Sequence, residues 1–254
     1  DNTVRIWNRG TDEIRVLRGH TFSIYSCNWS PDGKQLVTTA MDNTARIWDA
    51  ETWECLHVLG GHAHHVSAAC WTADRKSLVT AGHKGIKVWD AQTGEQLRDL
   101  FTTKDFTSAS ISPALQQQLV LSETTGDCHL VDVQTWQIIH SISAHAGNVT
   151  QVSFHPDGSS FASAGGDGTV KIWDARDGRL QQVLRGPQFE AQSLSWSPDG
   201  TQIVAACSDG TTRLWALPPP VQPVTFSVSD APVVQLHWDK DDPFLKSVSA
   251  FGAQ

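Results

Sequence analysis

The sequence predicts an all-β protein, a β-propeller, and three observations carry that reading. Trp48-Asp49, Trp89-Asp90 and Trp173-Asp174 each close a short run of alternating residues, with Trp7-Asn8 and Trp215-Ala216 as altered copies. The steps between these tryptophans are 41, 41, 84 and 42 residues, so the double step hides one further unit near Val131-Asp132. Between the tryptophans lie strand-length alternating segments separated by tight-turn sequences. A fixed period of about 40–45 residues with four strand-like segments per unit marks propeller blades. One blade cannot bury both of its faces, so blades stack on one another.

The unit from His145 to Leu184 shows the elements most clearly. Gly147-Asn148 opens a turn, and Val149 to Phe154 alternates apolar and polar residues as a half-buried strand does. His155-Pro156-Asp157-Gly158 places Pro and Gly where a type I turn favours them. Ser160 to Ala164 is a second strand, Gly166-Asp167-Gly168 a second turn, and Val170 to Trp173 a third strand. Asp177-Gly178 turns the chain into a fourth, Leu180 to Leu184. Ser30-Pro31-Asp32-Gly33 and Ser197-Pro198-Asp199-Gly200 repeat the first turn; Asp42-Asn43-Thr44 and Asp209-Gly210-Thr211 repeat the second.

These residues resemble the WD-repeat (WD40) family, whose unit opens at Gly-His and closes at Trp-Asp. Gly19-His20, Gly61-His62 and Ala144-His145 match the opening, and the resemblance runs along essentially the whole chain. It implies a hydrogen-bonded tetrad of His, Ser or Thr, Asp and Trp in well-formed blades. His20, Thr38, Asp42 and Trp48 match one such set, and His145, Ser163, Asp167 and Trp173 another. On paper a Ser near a His and an Asp looks like hydrolase chemistry. The set recurs, however, and satisfies its own buried polar groups, so the structural role is the expected one.

The chain reads as a single domain over residues 1–254, with blades at about 20–60, 61–101, 102–143, 144–185 and 186–228. Residues 229–254 plus 1–19 would make the closing blade. Asp1 to Trp7 copies Asp42 to Trp48, so the sequence opens on a third strand; Val233 to Trp238 and Phe244 to Val248 read as a first and a second. Two accounts fit: a six-bladed ring closed by two strands from each terminus, or part of a longer propeller array. The mid-blade opening favours origin in a larger polypeptide.

A net charge of −8 disfavours nucleic acid and anionic membranes as partners. Arg5, Arg46, Lys87, Lys171 and Arg213 all lie two residues before the tryptophan slot, so they are a repeated framework feature rather than a basic patch. Five scattered cysteines without a C-x-x-C motif suit a reduced, cytoplasmic or nuclear protein. No apolar run reaches the length of a membrane-spanning helix, and no signal peptide is visible. No metal site and no cofactor are expected: His62, His64, His65 and His83 lack the spacing on rigid elements that zinc requires.

In a repeat protein the regular positions describe the scaffold, and function is sought where the repeat departs. The unit from 102 to 142 has lost its Gly-His, its Pro-Asp-Gly turn and its Trp, and the unit after next has Gly186-Pro187 and Ala205 in tetrad slots. Trp53 and Trp136 stand in turns where sister units have Gly94 and Gly178, and are expected to cap outer-strand packing. Pro218-Pro219-Pro220 marks the entry to one fourth strand and suits an edge.

The resemblance also implies a docking face formed by the loops joining fourth to first strands and second to third. Seven residues before the first-strand aromatic stand Phe22, His64 and Phe189, and aromatic anchors favour interfaces. Met41, His65, His83, Lys84, Lys104 and Glu123 are expected around them. The leading expectation is a non-enzymatic interaction scaffold, binding a protein, a peptide or sister domains of a larger chain. An alternative is a substrate receptor of a cullin-type ubiquitin ligase, from the resemblance of Trp173-Asp174-Ala175-Arg176 to the Trp-Asp-x-Arg of such receptors, with Arg176 as the adaptor contact. Ligand binding or catalysis in a central channel is the third reading.

Overall fold

The computed structural model describes residues 1–7, 10, 13–113, 118–186 and 190–217, and the backbone alone of 224–227, 235–239 and 242–248. Every regular element among them is a strand. The chain divides into two compact units, residues 1–71 with 75–104, and residues 72–74 with 105–254.

The first unit begins with β1 (Thr3–Trp7) and β2 (Ile14–Arg18), a two-stranded sheet. Next come β3 (Ile24–Trp29), β4 (Gln35–Ala40), β5 (Ala45–Asp49) and β6 (Cys55–Leu59), hydrogen-bonded in chain order as the first blade. The second blade is β7 (Val66–Trp71), β8 (Ser77–Gly82), β9 (Gly85–Asp90) and β10 (Gln96–Leu100).

The second unit holds three more blades. They are β11 (Phe106–Ile111) to β14 (Gln137–Ser143) through β12 (Gln118–Glu123) and β13 (Asp127–Asp132); β15 (Val149–Phe154), β16 (Ser160–Gly165), β17 (Thr169–Asp174) and β18 (Leu180–Arg185); and β19 (Ala191–Trp196), β20 (Gln202–Cys207), β21 (Thr211–Ala216) and β22 (Val224–Ser227). A last pair, β23 (Gln235–Asp239) and β24 (Asp242–Val248), forms its own two-stranded sheet. Among the described residues five four-stranded propeller blades are therefore present rather than six, and the strands expected in the closing blade form two two-stranded sheets.

Alternation dictates the layering. Second strands are buried at nearly every position, as in β16, while fourth strands such as β10 face solvent. The second, fourth and fifth blades each lay their first-strand aromatic and their Trp slot on the blade before. Trp71 and Trp89 join Val37, Ala45 and Ile47 in one core; Phe154 and Trp173 join Val120, Cys128 and Leu130 in another; Trp196 and Trp215 join Ala162, Val170 and Ile172 in a third. Phe161, fully buried between Phe154 and Trp173, contributes about 2–3 kcal/mol by area.

Turns follow the sequence closely. Gly33, Gly158 and Gly200 each close a β-turn by donating to the residue three back, with φ near 70°, which a side chain adopts only at a cost. Trp53 and Trp136 hold φ values of 63° and 58° where Gly94 and Gly178 hold 74° and 71°, so these tryptophans tolerate left-handed backbone. Trp53 gains packing in return: it joins the core of Val4, Leu17, Leu36 and Trp48 and meets Trp29 edge-on at 6.0 Å. Pro218 to Pro220 lie outside the described residues.

Candidate interaction surface

The two expected tetrads form, and each closes a proton inventory. In the fourth blade Trp173 Nε1 donates to Ser163 Oγ at 2.8 Å, and Ser163 Oγ lies 2.7 Å from His145 Nε2. The hydroxyl thus accepts from the indole and gives its own proton to Nε2. That leaves Nδ1–H to donate to Asp167 at 2.9 Å. The first blade repeats the chain through Trp48, Thr38, His20 and Asp42, at 2.9, 2.7 and 2.8 Å. Burial pushes the His20 and His145 pKa values down, and the aspartate partners push part of the way back. Burial opposes ionisation of Asp42 and Asp167, yet bonds from Thr44 and Thr169, together with the histidines, hold both carboxyls below their ordinary value. Ser163 and Thr38 are fully buried with their protons committed, so neither is placed to attack a substrate.

The other blades depart in three ways. In the second blade His62 Nε2 lies 2.7 Å from Thr80 Oγ1, and Trp89 Nε1 donates to the same oxygen at 2.8 Å. Thr80 and Trp89 are nine residues apart where Thr38 and Trp48 are ten. The β8–β9 turn has lost the residue that carried the aspartate, leaving His83-Lys84. Burial, with Lys87 nearby, pushes the His62 pKa to about 4.

In the third blade register places Leu121 and Val131 in the hydroxyl and Trp slots, and His129 in the repeated basic slot. His129 Nε2 lies 2.5 Å from Glu123 Oε1 and its Nδ1 2.9 Å from Ser141 Oγ, all within the blade. In the fifth blade Ala205 pairs with Arg213 where Ser163 pairs with Lys171, and buried Trp215 Nε1 has no acceptor. The basic slot is framework, as expected: Lys87 bonds Asp99 at 2.5 Å and Lys171 bonds the Ala144 carbonyl at 2.6 Å.

With strands ordered one to four and antiparallel, the entry to strand one and the turn from two to three share one end of a sheet. At that end of the first unit, Phe22 is 59 % exposed in the β2–β3 loop and Met41 50 % exposed in the β4–β5 turn. Met41 N–H donates to the Ser23 carbonyl at 2.8 Å, which fixes the two loops together. His64 meets His83 edge-on at 4.5 Å, His65 lies 6.3 Å from His83, and Tyr25 lies 5.4 Å from His65. Lys84 is exposed beside His83, at φ 64°.

Tyr25 is the residue that repeat reading overlooks. Every blade bulges at the second residue of its first strand, where Tyr25, Ser67, Thr107, Thr150 and Gln192 stand. Bulges re-aim a side chain. Thr107 and Thr150 turn their hydroxyls to the Val149 and Ala191 carbonyls of the next blade, whereas Tyr25 presents a ring. The signal was available: it is the one aromatic in that slot.

Of the remaining expected residues, Lys104 is half-buried in the β10–β11 loop, its N–H bonded to the Phe101 carbonyl at 3.0 Å. Glu123, expected in an exposed polar rim, is instead buried and paired with His129, because β12 carries it inward. Phe189 lies outside the described residues. Arg176 is exposed in the β17–β18 turn, its N–H donating to Asp174 at 2.7 Å and its carbonyl accepting from His140 at 3.1 Å. Burial pushes the Cys27 and Cys70 thiols up to about 11 and about 12, which suppresses the reactive thiolate. Among the described residues no three His, Cys, Asp or Glu side chains converge as a metal site, and no helix is long and apolar enough to cross a membrane.

Comparison with known proteins agrees with this geometry. The family model described as WD domain, G-beta repeat matches residues 11–49, 53–90, 136–174 and 178–216. The chain is similar to Periodic tryptophan protein 2 of Saccharomyces cerevisiae, 39% identical over 67% of this chain and 19% of that protein. It is also similar to the chicken (Gallus gallus) serine-threonine kinase receptor-associated protein, at 28% over 70% of this chain and 51% of that one. Protein tipD of Dictyostelium discoideum is 26% identical over 72% of this chain and 31% of its own length. The match thus spans about half or less of each of these relatives. Propellers of this kind serve in general as non-enzymatic surfaces for protein partners. Repeated tetrads, blade register and the matched segments, which together cover more than half of the sequence, lead to one conclusion: the chain belongs to the WD40 repeat family.

Proposed function

We propose that this chain is a protein-recognition module whose partner, a protein loop or peptide, docks on the loop end of the first unit. The observation that carries the reading is that one loop end of the first unit's sheets carries exposed Phe22 and Met41, in loops joined by the Met41 N–H to Ser23 carbonyl bond, together with the mutually contacting Tyr25, His65, His83 and His64 rings. Large, stiff aromatic side chains supply contact area at little entropic cost, and a flexible thioether adapts to the partner's shape. Lys84 and the imidazoles form a polar margin, while Asp42 at the same end is engaged by His20, Thr44 and the Thr21 N–H. The tetrads contribute stiffness, so the loops are held in position before a partner arrives.

Selection of a random displayed-peptide library on the protein tests this. Peptides are expected to converge on a motif that the F22A/M41A double variant binds at least tenfold more weakly, with an unchanged melting temperature. Enriched peptides that bind both proteins equally would remove the loop end from the function.

A cullin-adaptor role for Arg176 has narrower support: its side chain is exposed while its backbone is fixed at both polar groups. Unchanged adaptor binding by an R176A variant would dismiss it.

A further inference from the structure

The third blade carries a carboxylate–imidazole–hydroxyl chain whose hydroxyl, unlike those of the tetrads, stands at the surface. Glu123 and His129 are buried, whereas Ser141 is exposed on β14, the outer strand of its sheet. His129 Nε2 meets Glu123 Oε1 at 2.5 Å, and Nδ1 meets Ser141 Oγ at 2.9 Å. Thr125 Oγ1 donates to the second carboxylate oxygen at 3.1 Å. An ionised Glu123 only accepts, so Nε2 carries the imidazole proton and donates it. Nδ1 of the neutral ring is then the acceptor of the Ser141 hydroxyl proton. In the tetrads the hydroxyls of Thr38 and Ser163 are fully buried and each holds an indole N–H, which shuts them off from any substrate.

Backbone register reinforces the difference. Ala144 N–H donates to the Gly126 carbonyl at 3.0 Å, and hydrogen-bonded and non-hydrogen-bonded pairs alternate along an antiparallel ladder. The His129–Ser141 pair, three steps along, is therefore non-hydrogen-bonded, the kind in which facing side chains stand closest. The Ser141 N–H consequently points off the outer edge of β14 rather than to β13.

We propose that Ser141 is a nucleophile activated by His129 and Glu123, and that it takes the acyl group of esters with good leaving groups. Ser141 Oγ attacks the ester carbonyl carbon as its proton passes to His129 Nδ1, and Glu123 stabilises the imidazolium. The C–O bond to the alcohol breaks, and the alcohol leaves with that proton. Water then gives a proton to Nδ1 and attacks the acyl-serine; the acid departs, and the proton returns to Ser141 Oγ. One backbone N–H at an open strand edge offers the oxyanion modest support, which restricts the site to activated esters. Glu123 is a positioning residue, holding the tautomer that makes Nδ1 the proton acceptor. This activity is separate from the docking reading, whose residues belong to the first unit.

Ser143 supplies an internal control: it is exposed on the same strand and pairs with Asp127 instead of a histidine. The test treats the protein with an alkyl fluorophosphonate and follows both serines by peptide mass spectrometry. Ser141 is expected to be labelled about a hundredfold faster than Ser143, the scale of general-base assistance. Glu123→Gln keeps an acceptor for the Nε2 proton but no charge, and should cut that ratio about tenfold at a retained melting temperature. Release of p-nitrophenol from p-nitrophenyl acetate should exceed that of Ser141→Ala, a change at an exposed position that leaves the fold intact. Equal labelling of the two serines would overturn the proposal. So would a ratio untouched by Glu123→Gln, or ester turnover equal to that of Ser141→Ala.

Discussion

The fourth and fifth blades have the same strand order and the same bulge in the first strand, but opposite polar inventories. In the fourth, Ser163 accepts from Trp173 and completes a chain to Asp167; in the fifth, Ala205 leaves the Trp215 indole N–H buried without an acceptor. Both tryptophans are nonetheless buried on the preceding blade. Apolar stacking therefore holds a blade in place, and the tetrad stabilises it further. A robust stack lets individual blades lose polar partners, and those are the blades free to change.

Removing the acceptor from the intact blade should show the largest effect. A Ser163→Ala variant leaves Trp173 Nε1 and His145 Nε2 both unpaired in the core, a loss of about 2–4 kcal/mol in urea unfolding. A loss below about 1 kcal/mol would mean that the fourth blade tolerates the fifth blade's arrangement.

The second blade sharpens the contrast through pH. His62 lacks the aspartate that supports His20 and His145, and its pKa falls from 6.5 to about 4. A depressed histidine stays neutral in the fold while the unfolded chain takes up protons. Its contribution is thus intact above pH 6.5 and lost as pH falls through about 4, by about 3 kcal/mol. His62→Gln should flatten the stability profile across that window; an unchanged slope would place the acid sensitivity elsewhere.

The converse change in the fifth blade is smaller. Ala205→Ser supplies Trp215 with an acceptor but no histidine to receive the new proton, so a gain of about 1 kcal/mol is expected. No gain would show that the site relaxes around the indole. Smallest of all, F22A/M41A should change stability by less than about 0.5 kcal/mol per site, since both side chains are exposed. A larger loss would assign them to packing rather than to a partner.

Much of this was legible in the sequence. The period located the strands of the fourth blade to within a residue, because alternation and turn chemistry are local properties. Both tetrads were readable because their spacing is fixed by register. Glu123 was not: its place in a second turn suggested a rim, and only the pairing of β12 with β13 brings it to His129. Tyr25 was hidden because a bulge, which changes where a side chain points, leaves no mark on the period.

The sequence by itself determined the blade unit, the strand order within it and the residues that satisfy its buried polar groups, since all are set by contacts between neighbouring segments. Only the tertiary structure decided that, among the described residues, five sheets have four strands while the first and last two strands form two-stranded sheets. It alone showed which departures from the repeat are compensated, as at His129, and which leave a donor unpaired, as at Trp215. The reason is physical: a repeat specifies what each residue offers, and whether that offer is met depends on which distant side chains blade stacking and register bring within bonding distance.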